Sequence, residues 1–155
     1  MINHHAFLRG YLHKSASSDT PPLTREDIIR YLREYGDPSM GIGAGSAMVL
    51  HGLRDSTSDI DASALPELYD EYLDRYGAPQ EESYMGSPLF TIPGTPIDLH
   101  KDDDPTGDHY EDVPDAPARV QRPETLLAFY LRLNREKDQE WIAKLKEHLS
   151  TIPQE

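Results

Sequence analysis

The chain of 155 residues contains no cysteine. It therefore has no disulfide, no thiolate zinc site and no thiol nucleophile. Long apolar runs are also absent: the stretch Met1–Leu8 has no apolar run long enough for a signal peptide, and no segment approaches the length of a membrane span. These absences lead us to expect a cytoplasmic protein that makes no contact with a membrane.

Basic residues are few. Fifteen lysines and arginines stand against 28 aspartates and glutamates, which gives a formal net charge of −13. Non-specific binding to nucleic acid depends on cationic side chains that neutralise phosphates. We therefore expect no such binding, and any contact with nucleic acid must be local and metal-assisted. Solubility accounts for most of the acidic excess.

The length of the chain and its patterning predict one α+β (mixed α/β) domain. Residues 1–22 are interpreted as an N-terminal extension, a short helix near 4–14 followed by a small-residue polar linker, and residues 23–155 as the domain. Hydrophobic periodicity then predicts helices at 24–35, 45–53, 66–76, 123–133 and 136–149, and strands at 40–43, 59–63, 89–92, 97–100 and 118–121.

Two of these helices carry clear local signals. Thr24 and Asp27 have the spacing of a capping box, which places the start of the first helix. Leu68, Tyr72 and Leu73 recur at helical spacing and predict the buried face of the helix at 66–76.

The second half of the chain combines a hairpin, a loop and a helical pair. Strands 89–92 and 97–100 flank a Pro-Gly-Thr-Pro turn, which is typical of a hairpin. The stretch 101–118 is rich in aspartate and proline, lacks periodicity and is predicted to be a long acidic loop. Residues 123–149 are predicted to form two C-terminal helices.

The stretch Gly43–Asp61 is the most informative part of the sequence. A turn of small residues leads into a short apolar helix, and the chain then returns as a strand that carries Asp59 and Asp61. Alternation along the strand puts both carboxylates on one face, with Ile60 facing the core. Like charges held this close repel unless a cation lies between them. A glycine turn facing such a pair can hold a metal-bound phosphate, which suggests phosphoryl or nucleotidyl transfer.

Asp98 is a candidate third carboxylate. It lies in another extended segment, between Ile97 and Leu99. If that strand runs beside the one holding Asp59 and Asp61, three carboxylates converge on one sheet face. Such a set can hold two Mg²⁺ ions about 3.5–4 Å apart, the spacing used in phosphoryl transfer. One of the three carboxylates can also accept the proton of an incoming hydroxyl.

These motifs resemble a known signature. Gly45-Ser46, a short helix and Asp59-Ile60-Asp61, with a third carboxylate on a later strand, are similar to the DNA polymerase β-type nucleotidyltransferase superfamily. The pattern Gly-Ser-Ala-x-x-Leu-His-Gly-Leu-Arg-x-x-Thr-x-Asp-Ile-Asp is most similar to the small bacterial branch that includes abortive-infection nucleotidyltransferase toxins. The tail 123–149 is similar to the helical tail of that branch, where a Lys-Asp pair opens the last helix.

The resemblance implies a fold, cofactors and roles. The fold would be a minimal nucleotidyltransferase core, a short mixed sheet with flanking helices and a C-terminal helical pair. Asp59, Asp61 and Asp98 would be the catalytic residues and the ligands of Mg²⁺ or Mn²⁺, with an NTP as substrate. The NTP phosphates would be contacted by Gly45, Ser46, Arg54 and Lys137.

Two positions depart from the family pattern. Tyr130 stands where the family has a lysine, and Trp141 where it has a later aspartate. Both departures remove polar groups near the expected nucleotide site and leave the three carboxylates intact. Two histidines, His51 and His100, lie close to the motifs, and a structural, hydrogen-bonded role is expected for both.

Two functions remain open from the sequence. The first is an enzyme that transfers an NMP from an NTP to a hydroxyl of RNA, protein or a small molecule. The second is a non-catalytic interaction protein on the same fold, an antitoxin-like partner or an acidic decoy that uses the 101–118 segment to bind a protein partner. Hydrolysis of a phosphate at the same metals has no separate signal.

Overall fold

The computed structural model describes residues 22–83, 86–102 and 107–151. The helix predicted near residues 4–14 and nearly all of the linker lie outside these residues. The described chain forms one mixed seven-stranded sheet and five α-helices, which is the predicted α+β class. None of the helices within the described ranges is long and apolar enough to cross a membrane.

The sheet has the order β3-β4-β5-β2-β1-β7-β6. Pairs β2–β5 and β1–β7 are parallel, and the other neighbours are antiparallel. The strands are β1 Gly41–Gly43, β2 Ile60–Ala64, β3 Glu81–Glu82, β4 Pro88–Thr91, β5 Ile97–Lys101, β6 Tyr110–Glu111 and β7 Arg119–Gln121.

The helices occupy the predicted parts of the chain: those at 66–76 and 123–133 have the predicted bounds, and the others have shifted ends. They are α1 Arg25–Tyr35, α2 Ala44–Leu50, α3 Pro66–Tyr76, α4 Pro123–Leu133 and α5 Gln139–Ser150, with a single 3₁₀ turn at Glu136–Asp138 before α5. The prediction of one helix over 136–149 therefore missed this tighter first turn.

Helix α1 begins where its capping box predicts. The Thr24 hydroxyl accepts a hydrogen bond from the Asp27 amide, and the Asp27 carboxylate accepts one from the Thr24 amide at 3.0 Å. These two bonds satisfy backbone donors that the first turn of a helix otherwise leaves unpaired. The prediction is confirmed.

Helix α2 is shorter than the predicted 45–53. It ends at Leu50 because Gly52 adopts a φ of +77°, in the left-handed region that favours glycine. The chain turns there and runs back toward β2. Strand β2 in turn begins at Ile60, so Asp59 lies immediately before the strand and not within it.

The predicted face of α3 packs on the core, and one buried residue was missed. Tyr72 is buried as predicted, and Leu68 and Leu73 are partly buried and pack against the core, whereas the buried Tyr69 was not predicted. The ring of Tyr69 packs edge-on against Phe90, and its hydroxyl donates to Gln80 at 2.8 Å. An aromatic residue with a polar tip is buried at low cost when that tip finds a partner.

The hairpin is confirmed, and the acidic loop is not wholly a loop. Strands β4 and β5 pair antiparallel through Leu89 and His100, Phe90 and Leu99, and Thr91 and Asp98. Within the predicted loop 101–118, the short strand β6 pairs with β7, and Tyr110 is buried. Strand β3 was likewise not predicted. Strands of two residues are too short for alternation to show in the sequence.

The core lies around the centre of the sheet. Ile42 on β1, Ile60 on β2 and Leu99 on β5 are fully buried, and Leu126 on α4 and Leu145 on α5 join the same cluster. The central strands β1, β2 and β5 are therefore fixed by packing, and the polar residues at their ends are held by a rigid frame.

Candidate metal and nucleotide site

Three carboxylates converge at the ends of β2 and β5. Asp61 and Asp98 are register partners on these parallel strands, and Asp59 lies two residues before Asp61. One carboxylate oxygen from each of the three lies within 4.8 Å of the others. The sequence predicted this convergence on the condition that the two strands run side by side, and they do.

The Asp98 carboxylate is held in place by the hairpin. It is the most buried of the three, with 8% of the residue exposed. Its Oδ1 accepts a hydrogen bond of 2.6 Å from the hydroxyl of Thr91, its register partner on β4. Thr91 was not a predicted site residue, although the hairpin pattern would have placed it opposite Asp98.

His100 also belongs to this side of the site. Its Nε2 lies 3.5 Å from Asp61 Oδ1, and the ring lines the cleft that contains the three carboxylates. The prediction of a structural role holds for the other histidine: His51 Nε2 lies 2.8 Å from the Gln121 carbonyl oxygen, and its side chain is almost fully buried. His100 instead lies beside the candidate ligands.

The turn between β1 and α2 lines the same cleft as the carboxylates. Ala44 adopts a φ of +52°, an uncommon conformation for a non-glycine residue, and its amide donates to Gln121 Oε1 at 3.1 Å. A Cβ on Gly45 would lie 2.7 Å from Thr57 Oγ1 and 3.0 Å from Arg54 Nη1. The glycine therefore lets the backbone and the Arg54 guanidinium lie side by side.

Ser46 links this turn to the carboxylates. It is fully buried, its hydroxyl donates to the Gly43 carbonyl at 2.7 Å, and it accepts from the Asp61 amide at 3.1 Å. In this structure the hydroxyl thus bridges β1 and β2, and unlike Gly45 the residue does not line the cleft. Its geometry holds Asp61 against the turn.

Arg54 and Trp141 line the same cleft as the carboxylates. Arg54 Nε donates to the Ser56 carbonyl at 2.7 Å, and the guanidinium carbon lies 4.5 Å from the centre of the Trp141 ring. Among the described residues, no ion pair joins Arg54 to the adjacent Asp55. Trp141 thus offers an aromatic ring to the Arg54 cation at the position where the resembled family has an aspartate.

The turn before α5 supplies further charge. Arg135 Nε lies 2.5 Å from Asp138 Oδ2, and the Asp138 side chain is 4% exposed. Between them in sequence, Lys137 lines the cleft, where desolvation lowers the pKa of its ammonium group and the Asp138 carboxylate opposes that shift. The Lys-Asp pair of the sequence thus places Lys137 in the cleft wall, while Asp138 binds Arg135.

Tyr130 is a buried member of the same wall. Desolvation raises the pKa of its hydroxyl above the ordinary value of 10.0, the Arg54 charge opposes this shift, and the Asp138 and Asp61 carboxylates reinforce it. The hydroxyl is therefore neutral at physiological pH. Tyr130 thus places a polar hydroxyl at the position where the resembled family has a lysine.

The cleft that these residues line has a volume of about 930 Å³. It brings together Asp59, Asp61, Asp98, Gly45, Arg54 and Lys137, six of the seven predicted site residues, with Ser46 behind the wall. A volume of this size accommodates a nucleotide-sized ligand.

The donor set of the carboxylates fits a hard divalent cation. Asp59, Asp61 and Asp98 offer only oxygen ligands, and such sites suit Mg²⁺, Mn²⁺ or Ca²⁺ better than zinc or copper. A cation between them would also offset the repulsion of three like charges. The acidic triad can therefore bind a divalent metal.

Comparisons with known proteins support the fold. No family model matches the sequence, and no curated protein matches it. Among solved structures, the fold is similar to that of a candidate nucleotidyltransferase from Thermotoga maritima, determined by crystallography at 1.87 Å resolution. The similarity has a TM-score of 0.54 and 17% sequence identity, and it covers 82% of this chain and 97% of that one. The chain has a nucleotidyltransferase fold.

Proposed function

We propose that this protein is a metal-dependent nucleotidyltransferase. The observation that carries the proposal is the position of the acidic triad on the same cleft as Arg54 and Lys137. A metal site alone would fit many functions. A metal site that shares a nucleotide-sized cleft with cationic groups favours a substrate that carries several phosphates.

The proposed reaction transfers an NMP from an NTP to an acceptor hydroxyl. A bond forms between the acceptor oxygen and the α-phosphorus, the bond from that phosphorus to the β-phosphate oxygen breaks, and pyrophosphate leaves. Bound Mg²⁺ or Mn²⁺ would supply neutralisation of the phosphate charge. A carboxylate near the reacting hydroxyl can accept its proton, and Asp98 is our candidate because the Thr91 hydrogen bond fixes its orientation.

The phosphates of the NTP would lie between the metal site and the part of the cleft that Gly45, Arg54 and Lys137 line. Gly45 would let them approach the backbone closely, since any side chain there meets Thr57 and Arg54. Arg54 and Lys137 would bind phosphate oxygens, and Ser46 would contribute by holding the turn and Asp61 together. These assignments cover all the predicted phosphate-binding residues.

The acceptor is a hydroxyl of RNA, a protein or a small molecule. The resemblance to abortive-infection toxins rests on the sequence alone, in the Gly45–Asp61 stretch and in the tail 123–149. The negative charge of the chain argues against an acceptor held by non-specific contact with nucleic acid.

Label transfer tests the proposal. The wild-type protein is incubated with each α-phosphate-labelled NTP, with Mg²⁺ or Mn²⁺, and with total cellular RNA and protein. We expect label to enter one acceptor class, to require the metal and to be lost in the double variant Asp59→Asn/Asp61→Asn. The absence of transfer with every NTP, together with NTP binding that metal does not tighten, would favour the non-catalytic interaction protein.

A further inference from the structure

The cationic groups of the cleft are held in different ways. Lys101 forms an ion pair with Asp70 at 3.1 Å, and Arg135 forms one with Asp138. Arg54 instead contacts a neutral carbonyl and an aromatic ring. Its positive charge is thus positioned without a carboxylate partner among these contacts, which keeps the charge available for an anionic ligand.

The contacts of Arg54 also fix its orientation. The Ser56 carbonyl accepts a hydrogen bond from Nε, and the guanidinium carbon lies 4.5 Å from the centre of the Trp141 ring. Nη1 lies beside Gly45, 3.0 Å from the position that a Cβ would occupy there. The end of the Arg54 side chain therefore lies beside the turn between β1 and α2, which lines the same cleft as the carboxylates.

Stacking on a ring suits arginine in particular. The guanidinium is planar, stacks on aromatic faces and keeps its in-plane N–H groups free to bind phosphate oxygens. An arginine that is already stacked loses less conformational freedom when a ligand binds. Trp141 thus costs the site a polar group but gives Arg54 a fixed position.

We propose that Trp141 is a positioning residue that holds Arg54 against the polyphosphate of the bound nucleotide. The inference rests on the proposed function, because it names the part of the substrate that this wall recognises. Trp141, on helix α5, would then support phosphate binding indirectly: its ring would hold Arg54, and Arg54 would contact the phosphates.

Binding of magnesium tripolyphosphate to the full chain tests the inference. Calorimetry compares the wild type with Arg54→Ala, Trp141→Ala, Trp141→Phe and the double alanine variant. We expect a loss of affinity of roughly 30-fold for Arg54→Ala and roughly tenfold for Trp141→Ala. The tripolyphosphate affinity of the double variant should lie within about twofold of that of Arg54→Ala. The affinity of Trp141→Phe should stay within about threefold of that of the wild type, since an aromatic ring remains.

A spectroscopic readout follows the contact directly. Trp141 is the single tryptophan of the chain, so its emission reports on its own surroundings. We expect Arg54→Ala to shift the emission of the ligand-free protein, and tripolyphosphate to change the emission of the wild type but not of Arg54→Ala. Arg75→Ala is the matched control, because Arg75 lies 5.0 Å from the Tyr72 ring on α3, outside the cleft lining. It should match the wild type in both measurements.

Several results would overturn the inference. These are unchanged tripolyphosphate affinity in Trp141→Ala, effects of the two alanine substitutions that multiply in the double variant, or no tripolyphosphate binding by the wild type. A parallel loss of Mn²⁺ affinity in Trp141→Ala would also overturn it, since the residue would then support the fold generally.

Label transfer tests the proposed function separately. If label is transferred but tripolyphosphate does not bind, the proposed function stands and the inference fails. If tripolyphosphate binds in the expected pattern but no label is transferred, the cleft is a polyphosphate site and the proposed function fails.

Discussion

Asp61 and Asp98 face each other across the parallel strands β2 and β5, as register partners in the centre of the sheet. Register partners on neighbouring parallel strands point their side chains to the same face of the sheet, so this register brings the two carboxylates together. Asp59 joins them from the position just before β2. The account of the site therefore depends on what holds these strands and the turn beside them in place.

Ser46 should contribute to stability through its bridge between β1 and β2. Ser46→Ala leaves the partly buried Gly43 carbonyl and Asp61 amide without this partner, so we expect the free energy of unfolding to fall by about 1–3 kcal/mol. Denaturant unfolding measures the change. Ser150→Ala is the control, because that exposed hydroxyl bonds only a helix carbonyl. A loss below about 0.5 kcal/mol for Ser46→Ala would show that the bridge is not needed.

Gly45 should matter more for binding than for folding. In Gly45→Ala the new Cβ meets Thr57 Oγ1 and displaces the flexible end of Arg54, so we expect a stability loss of about 1 kcal/mol. Calorimetry with magnesium tripolyphosphate should show roughly a tenfold loss of affinity. Adding Thr57→Ala removes the closer contact and should recover stability but not affinity. Recovery of both would show that Arg54 had not been displaced.

The Arg135–Asp138 pair should be costly to break from one side. Asp138 is buried, so Arg135→Ala leaves a carboxylate without this cationic partner, and we expect a loss of about 3 kcal/mol in the free energy of unfolding. Arg135→Ala/Asp138→Asn removes the charge as well and should regain part of that loss. Thermal and denaturant unfolding measure both variants. Equal stability of the single and double variants would contradict this view of the pair.

Tyr130 should make the protein sensitive to alkaline pH. Burial raises the pKa of its hydroxyl in the folded state, whereas in the unfolded chain the ordinary value of 10.0 applies. Above about pH 10 the unfolded state loses this proton while the folded state keeps it, so stability falls as the pH rises. Tyr130→Phe should flatten that decline in urea unfolding between about pH 9 and pH 12. Tyr31→Phe, on α1, is the control, and equal slopes for all three proteins would be incompatible with the burial of Tyr130.

Features with local causes could be predicted from the sequence. The Thr24–Asp27 capping box, the hairpin of β4 and β5, and the ends of α3 at Pro66 and Tyr76 each depend on residues a few positions apart. The closeness of Asp59 and Asp61 also has a local cause, since the two residues are two positions apart, although Asp59 lies just before β2. Their meeting with Asp98 needed the additional condition that β2 and β5 are neighbours.

Features that depend on distant contacts could not be predicted. Strands β3 and β6 are two residues long and exist because a neighbouring strand is present. The contact of His100 with Asp61 follows from the pairing of β5 with β2. The contact between Arg54 and Trp141 joins the segment after α2 to α5, and nothing in the sequence around either residue predicts this contact.

The central claim is that Asp59, Asp61 and Asp98 hold a divalent metal through which the chain binds an NTP. The most direct measurement is calorimetric titration with an NTP whose α–β bond cannot be cleaved, with Mn²⁺ and then with a chelator. We predict that Mn²⁺ tightens binding at least about tenfold in the wild type and in Glu71→Gln, a control at an exposed ion pair outside the cleft lining, and that Asp61→Asn and Asp98→Asn abolish this tightening. Nucleotide affinity that is the same with Mn²⁺ and with the chelator, or tightening that survives in both triad variants, would contradict the account.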